Sequence, residues 1–230
     1  MTDTHPRLPL SANDLVLVAD DETFSRFMTI ERFGQMGKPQ ILSARDGHEA
    51  LEALNGSRAT EIRVVVLDFN MPGANGIEVL KDIRSGKLAV PHDVIVMMIT
   101  GIDILGIATA AMVLDVDLFL NKPTATADLR RHLIDLLGSE RDCAPPAHYA
   151  GLDVDWLISG QVIDTTLSGG EDIPLDALSE GMVIASNLLD PHGGLLVAAG
   201  TRVTPRLRRL LRGLAAAGLP FEGLKVIRPI

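Results

Sequence analysis

The chain has 230 residues, enough for one large domain or two small ones. Hydrophobic residues make up 47% of it and charged residues 22%, a balance typical of a globular protein rather than a disordered one. The net charge of -9 argues against broad nucleic-acid binding, which needs a positive field. No apolar run approaches membrane-spanning length, no signal peptide is evident, and the single Cys143 cannot form an internal disulfide, so we expect a cytoplasmic protein.

Strands and helices alternate through the first 137 residues. Apolar runs without polar alternation are typical of strands buried on both faces of a parallel sheet, and such runs occur at 15–19, 64–67 and 94–99. Two shorter strands are predicted at 40–43 and 116–120. Five helices are predicted, over about 23–36, 46–54, 76–84, 103–114 and 124–137, with Thr124 capping the last. This order predicts a flavodoxin-like, doubly wound sheet of five parallel strands with right-handed crossovers.

Polar side chains stand where these strands end. Asp20 and Asp21 follow the first strand, Asp68 the third, Thr100 the fourth and Lys122 the fifth. In a 2-1-3-4-5 strand order these ends converge on the crevice where open α/β sheets bind ligands. Oxygen ligands alone suit Mg²⁺, a lysine ammonium can reach a phosphoryl oxygen, and an aspartate attacking phosphorus forms an aspartyl phosphate. Each of these residues, taken alone, could simply end a strand or cap a helix. Their coincidence at the ends of several strands of one sheet favours a functional site.

Four motifs carry a resemblance to a known family. They are the acidic pair Asp20-Asp21, the L-D-F-N-M-P-G-A-N-G block around Asp68, M-I-T-G around Thr100 and F-L-N-K-P around Lys122. In order and spacing they resemble the receiver domain of two-component response regulators, over residues 14–137. The resemblance implies that Asp68 is the phosphoacceptor and that a histidine kinase or phosphotransfer protein is the donor.

The same resemblance assigns the other site residues. It implies that Mg²⁺ is bound directly by Asp21 and Asp68, through water by Asp20, and by the backbone carbonyl of Asn70. It also implies that Thr100 holds the phosphoryl group.

Lys122 is the second implied phosphoryl-binding residue, and Phe119 matches the aromatic that moves inward as Thr100 closes on the phosphate. The sequence departs from the family at Gly101, where alanine is more usual, and at Asp115, where glycine is more usual. Aspartate tolerates left-handed backbone better than most residues, so we expect the turn at Asp115 to survive.

The helix predicted at 103–114 has almost no polar face. A helix that is apolar all round is usually buried all round, although an alanine-rich helix with harmless exposed aliphatics is the plainer alternative. Two partners could cover it: a second copy of the chain, through residues 103–120, or the chain's own C-terminal module. We favour the dimer, because symmetric dimers are the commonest assembly.

Composition shifts divide the chain into four parts. We predict an N-terminal arm at 1–13, a receiver at 14–137, a linker at 138–172 and a small β-rich α+β module at 173–230. Trp156, Leu157 and Ile158 in the linker are expected to tuck against a domain.

The C-terminal module begins with two predicted strands, 181–185 and 194–198, joined through a turn at 190–193. Thr204 is expected to cap a helix with Pro205 at its first position and Gly218 at its end, before a closing strand at 224–227. The pattern resembles the β-rich segment that accompanies HD-GYP cyclic-dinucleotide phosphodiesterases. No His-Asp pair occurs in the segment, so the catalytic residues of that family are absent.

Four arginines cluster on the predicted C-terminal helix, at positions 206, 208, 209 and 212. A phosphate or nucleic-acid contact is one interpretation, and a solvated basic face is the favoured one. Residues 151–230, which include part of the predicted linker, hold seven Lys and Arg against nine Asp and Glu, so this stretch is net acidic.

These features predict a phosphorylation-controlled switch that signals by protein contacts to a partner the sequence does not specify, without enzymatic activity. A DNA-binding regulator is one alternative, but it needs a helix-turn-helix and the module has only one clear helix. A phosphohydrolase of the haloacid-dehalogenase type is another, but it needs D-x-D, and Asn70 takes the second place.

Overall fold

The structure, a computed structural model, describes residues 9–101, 105–138, 143–152, 154, 167–189, 195–197, 199–204, 207–208, 211–212 and 224–228. Two compact units make up the chain. Unit one comprises Met1–Ile102 and Asp117–Arg141, and unit two comprises Asp103–Val116 and Asp142–Ile230. Within the described ranges we find no helix with the length and apolarity needed to cross a membrane.

Several sequence predictions fall outside the described residues: most of the N-terminal arm, the start of the 103–114 helix, Trp156, Leu157, Ile158, the 190–193 turn, Pro205, Arg206, Arg209 and Gly218. The four domain boundaries stay predictions. In the division into two units, residues 103–116 group with the C-terminal part of the chain.

Unit one is built on a five-stranded parallel sheet in the order β2-β1-β3-β4-β5, which confirms the flavodoxin-like prediction. The strands are β1 (Leu15–Ala19), β2 (Gln40–Ala44), β3 (Ile62–Leu67), β4 (Ile95–Thr100) and β5 (Leu118–Asn121). Every residue of β1 and β4 is buried. This explains why their sequences are continuous apolar runs rather than alternating ones.

Helices follow the strands as predicted: α1 (Thr23–Gly34), α2 (Gly47–Asn55), α3 (Gly76–Arg84), α4 (Leu105–Val113) and α5 (Thr126–Leu137). One sheet face forms a core with α1 and α5, in which Val16, Val64 and Met97 pack with Phe33 and Leu129. The predicted cap of α5 was wrong. The N-cap residue is Ala125, because the Thr124 hydroxyl donates instead to the carbonyl of Asn121, at 3.0 Å.

A buried ion pair ties α3 to the start of β5. The Arg84 side chain is fully buried, and its guanidinium donates to Asp117 Oδ2 at 2.9 Å and to the carbonyls of His92 and Val94. The same carboxylate oxygen accepts the Val96 N–H at 2.8 Å. Buried charges are tolerated when they are paired and hydrogen-bonded in this way.

The described residues of unit two include α4, a short helix α6 (Pro146–Ala150) and five short strands: β6 (Glu171–Ile173), β7 (Val183–Ile184), β8 (Leu188–Leu189), β9 (Leu195–Val197) and β10 (Leu224–Ile227). The strands form an antiparallel β6-β10-β7 sheet and a β8-β9 pair. They surround a core that includes Leu178, Ile184, Val203, Leu211 and Val226. A small β-rich C-terminal region was predicted, and this part is confirmed.

One detail of this region was predicted wrongly. The strand within 181–185 does not form a hairpin with 194–198: β7 pairs with β10, and the short run Leu188–Leu189 pairs with β9. The predicted linker contains α6, because proline is tolerated at the first helical position, where Pro146 stands. The capping role of Thr204 is confirmed, since its Oγ1 accepts the Leu207 N–H at 3.1 Å.

Helix α4 packs against β9 within unit two. Ile107 and the consecutive residues 110–113 are buried, and Ala108 is half-buried. Four consecutive residues cover more than one full turn of a helix. Helix α4 is therefore buried all round in its last turn, as its sequence predicted, within a single chain.

We predict that Arg84→Ala lowers the free energy of unfolding by about 3–5 kcal/mol, because the buried Asp117 carboxylate loses this guanidinium. Urea unfolding followed by circular dichroism measures the loss. Arg131→Ala is the matched control, since Arg131 pairs with Asp128 on the exposed side of α5 and should cost about 1 kcal/mol or less. Equal losses in the two variants would contradict the structural role of the buried pair.

Candidate functional site

Two buried aspartates stand at the ends of neighbouring strands. Ala19 and Leu67 end β1 and β3 and are register partners. The next residue on each strand is an aspartate: Asp68 N–H donates to the Ala19 carbonyl at 2.9 Å, and Asp20 N–H donates to the Ala44 carbonyl at 3.2 Å. The backbone hydrogen bonds of the sheet thus continue one residue past β1 and β3. They hold Asp20 and Asp68 side by side at the carboxyl ends of these strands.

Three carboxylates gather at this edge. Asp20, Asp21 and Asp68 each offer an oxygen within 4.8 Å of the other two. Asp20 is 4% exposed and Asp68 6% exposed, whereas Asp21 is open to solvent. Charges this close repel one another strongly when partly removed from water, so the arrangement needs a cation among them.

Lys122 supplies one cation. Its Nζ lies 2.7 Å from Asp20 Oδ2 and 2.8 Å from Asp68 Oδ1, so a single ammonium bridges the two buried carboxylates. The Lys122 backbone N–H donates to the Thr100 carbonyl at 2.7 Å, which fixes the start of the loop after β5 to the end of β4.

Further donors hold the two buried aspartates in place. Asp20 Oδ2 accepts the Ser25 hydroxyl at 2.7 Å, and its Oδ1 accepts the Glu22 N–H at 3.0 Å. Asp68 Oδ2 accepts the Asn70 N–H at 2.7 Å. The sequence analysis did not identify Ser25, because it considered only the apolar positions of α1. The feature that could have identified Ser25 is its position in the first turn of α1, just after the acidic pair Asp20-Asp21.

The loop after Asp68 must approach the strand end closely. A Cβ atom at Gly76 would lie 2.2 Å from the Asp68 carbonyl oxygen, so only glycine fits there. Helix α3 then starts with a capping box, in which Asn75 and Glu78 satisfy each other's backbone N–H groups.

The remaining predicted residues occupy the expected elements. Thr100 is fully buried at the end of β4, Phe119 is half-buried on β5, and Asn70 is exposed in the loop after β3. A Cβ at Gly101 would lie 4.0 Å from Lys122 Cδ, an ordinary contact distance, so the alanine more usual in the family would fit there.

Burial and the neighbouring charges shift the pKa values of Asp68 and Lys122 in opposite directions. Burial raises the pKa of Asp68, and the hydrogen bond and charge of Lys122 lower it, with an upward net direction. Burial lowers the pKa of Lys122, but hydrogen bonds and charges from Asp20 and Asp68 outweigh it, and the net direction is also upward. Lys122 therefore stays protonated, while the Asp68 carboxylate is less stable than an exposed one.

A strand-end acid cluster bridged by a lysine on a 2-1-3-4-5 sheet defines a class of phosphoryl-accepting signalling domains. The family model described as the response regulator receiver domain matches residues 16–134, just over half of the chain. The chain therefore belongs to the response regulator receiver domain family, whose members act in the phosphorelays of two-component systems and interact with histidine kinases or phosphotransfer proteins.

Individual relatives are similar to the same part of the chain. A chemotaxis protein CheY homolog from Campylobacter jejuni is 28% identical over 124 residues, which are 54% of this chain and 92% of that protein. The sensory/regulatory protein RpfC of Xanthomonas campestris is 31% identical over 136 residues, 57% of this chain but 18% of that protein.

A solved structure, the CheX-CheY-BeF3-Mg+2 complex from Borrelia burgdorferi, has a similar fold. It aligns with a TM-score of 0.50 and 24% identity, over 55% of this chain and 90% of that one.

We predict that Asp68→Asn raises the urea midpoint at pH 7 in metal-free buffer. The pKa of Asp68 is raised in the folded state, so its ionised form lowers the free energy of unfolding at neutral pH. That penalty is lost as the pH falls through the folded pKa, so the advantage of the variant should shrink towards pH 4. Asp46→Asn is the control, since asparagine caps a helix as well as aspartate does. A less stable Asp68→Asn protein at pH 7 would contradict the burial argument.

Proposed function

We propose that Asp68 accepts a phosphoryl group from the phosphohistidine of a histidine kinase or phosphotransfer protein. The observation that carries the proposal is the Lys122 ammonium, 2.7 Å from Asp20 and 2.8 Å from Asp68. A cation held against the acceptor carboxylate offsets charge that develops on the phosphoryl oxygens during transfer.

The transfer needs little covalent chemistry from the protein. An oxygen of the Asp68 carboxylate attacks phosphorus while the bond from phosphorus to the donor's imidazole nitrogen breaks. The imidazole leaves with the electron pair and is protonated from solvent. The Asn70 N–H holds the other Asp68 oxygen, and this contact orients the carboxylate for attack.

The acid cluster suits Mg²⁺, which prefers oxygen ligands. Asp21 and Asp68 would bind the ion directly, Asp20 through water, and the Asn70 backbone carbonyl would complete the protein ligands. The three carboxylate groups lie within 4.8 Å of one another, close enough to share one ion. Bound Mg²⁺ would supply further positive charge beside the phosphoryl oxygens.

Thr100 and Lys122 would then hold the phosphoryl group, and Phe119 would move with Thr100. Two observations support this assignment. Thr100 is fully buried, so its hydroxyl lies inside the fold, and its carbonyl is bonded to the Lys122 N–H. A displacement of either residue therefore shifts the ends of β4 and β5 together.

The output is proposed to pass through protein contacts of unit two, without catalysis. Its resemblance to the segment that accompanies HD-GYP proteins stays a prediction. Of the arginine cluster, Arg208 is half-buried and Arg212 is exposed, and the other two members lie outside the described residues. The solvated basic face stays our interpretation.

Self-association through residues 103–120 is a second proposal. The last turn of α4, residues 110–113, is already buried within one chain, so β5 is the better surface. It lies at the edge of the described sheet, with Leu118, Phe119 and Leu120 half-buried. An edge strand offers unpaired backbone groups to a second copy.

We predict that beryllofluoride, a phosphoryl mimic, binds the full chain only with Mg²⁺ and that Asp68→Asn abolishes binding, because the mimic needs the acceptor oxygen and the ion. Isothermal titration calorimetry measures both requirements. Asp46→Asn should bind like the wild type. Metal-independent binding, or unchanged binding by Asp68→Asn, would refute the proposed site. Turnover of a phosphomonoester beyond one equivalent would instead favour the phosphohydrolase alternative.

For self-association we expect the sedimentation coefficient of the full chain to rise with concentration, and to rise further with beryllofluoride and Mg²⁺. A ligand shifts such an equilibrium only by its differential affinity for the two states. A monomer at all concentrations, with and without the mimic, would rule the dimer out.

A further inference from the structure

Helix α4 belongs to one part of the molecule by sequence and to another by packing. The family match covers residues 16–134 and so includes α4. The chain nevertheless leaves unit one after β4, forms α4 as part of unit two, and returns to unit one at Asp117. The receiver therefore supplies a helix to the unit that is proposed to carry the output.

Just after the end of α4, the carboxylate of Asp115 accepts hydrogen bonds from two other segments of unit two. Asp115 is buried and has a left-handed backbone, with φ 51°. Its Oδ2 accepts the hydroxyl of the fully buried Tyr149 at 2.6 Å, and its Oδ1 lies 3.4 Å from the Thr204 hydroxyl, which donates to it.

Each of these partners is itself fixed to its own segment. The Tyr149 hydroxyl accepts the Ala144 N–H at 2.7 Å, and Thr204 Oγ1 accepts the Leu207 N–H at 3.1 Å. Two segments that are distant in sequence, one around α6 and one around Thr204, thus meet on one side chain of the α4 turn. Buried hydroxyls that lose such a partner are costly, so the contact specifies one arrangement.

The other side of the same turn is anchored in unit one. Two residues after Asp115, the Asp117 carboxylate is bonded to Arg84 and to the Val96 N–H. In sequence, Asp115 therefore stands two residues before a buried ion pair of unit one.

We propose that Asp115, Tyr149 and Thr204 form a latch that couples unit two to the phosphorylation state of Asp68, closed in the unphosphorylated protein and opened by phosphorylation. The inference rests on the proposed function of Asp68. In the structure the Asp115–Tyr149 contact is made while Lys122 pairs directly with Asp68.

A phosphoryl group on Asp68 takes the Lys122 ammonium away from its present partners. Because the Lys122 N–H is bonded to the Thr100 carbonyl, we expect the change to be felt at the end of β4. Thermodynamic linkage makes this coupling reciprocal. If a phosphoryl group at Asp68 weakens the latch, a variant with a weakened latch binds the phosphoryl group more tightly, by the same factor.

The chain has one tyrosine, so 3-fluorotyrosine labelling gives a single ¹⁹F resonance that reports on Tyr149. We expect beryllofluoride with Mg²⁺ to move this resonance to the position seen in unliganded Asp115→Gly, a variant that keeps the left-handed turn and removes the carboxylate. The same spectrum shows the bound beryllofluoride, so occupancy of the site and state of the latch are read together.

A second measurement tests the linkage without the label. Tyr149→Phe and Asp115→Gly should each bind beryllofluoride with Mg²⁺ at least about 5-fold more tightly than the wild type, the lower range of allosteric coupling. Ser179→Ala is the matched control, because it removes an exposed hydroxyl of unit two, and its affinity should not change. Circular dichroism checks that every variant is folded.

The outcomes separate the two proposals. Bound beryllofluoride with an unmoved tyrosine resonance, or unchanged affinity in both latch variants, would overturn the latch and leave the function of Asp68 intact. Absence of bound beryllofluoride in the wild-type protein would overturn the function of Asp68 and the latch with it.

Discussion

The structure depends on one electrostatic constraint, the placing of three carboxylates within 4.8 Å at the ends of buried strands. Two of them are almost entirely removed from water, where like charges repel strongly. Lys122 bridges these two and so makes the cluster tolerable. The site is thus held in a charge balance that the proposed binding of a metal ion or a phosphoryl group would alter.

The route by which such a change leaves the site is set by the chain's connections. Lys122 is tied to Thr100 by a backbone hydrogen bond, and Thr100 is the last residue of β4 before the chain enters α4. Helix α4 packs with β9 and ends at Val113, two residues before Asp115, whose carboxylate accepts the Tyr149 hydroxyl. Arg84 and Asp117 hold the start of the next strand, β5, in place by a buried ion pair.

Much of unit one was predictable because its signals are local and its topology is restrictive. Buried apolar runs located the strands, and a 2-1-3-4-5 order brought Asp20, Asp68 and Lys122 together without any coordinates. The Tyr149 contact was not predictable: it joins residues 34 apart, and Pro145 and Pro146 gave α6 the composition of a linker. Thr124 was misread because its hydroxyl bonds backwards to Asn121, a choice that only the turn geometry decides.

The central claim is that Asp68 itself becomes phosphorylated. Incubation of the full chain with a small-molecule phosphodonor and Mg²⁺, followed by borohydride reduction and peptide mass spectrometry, tests it directly. Reduction converts an aspartyl phosphate to homoserine, so the modified residue is identified by sequence position. The account predicts homoserine at position 68, dependent on Mg²⁺. Modification at another carboxylate with Asp68 unchanged would contradict it.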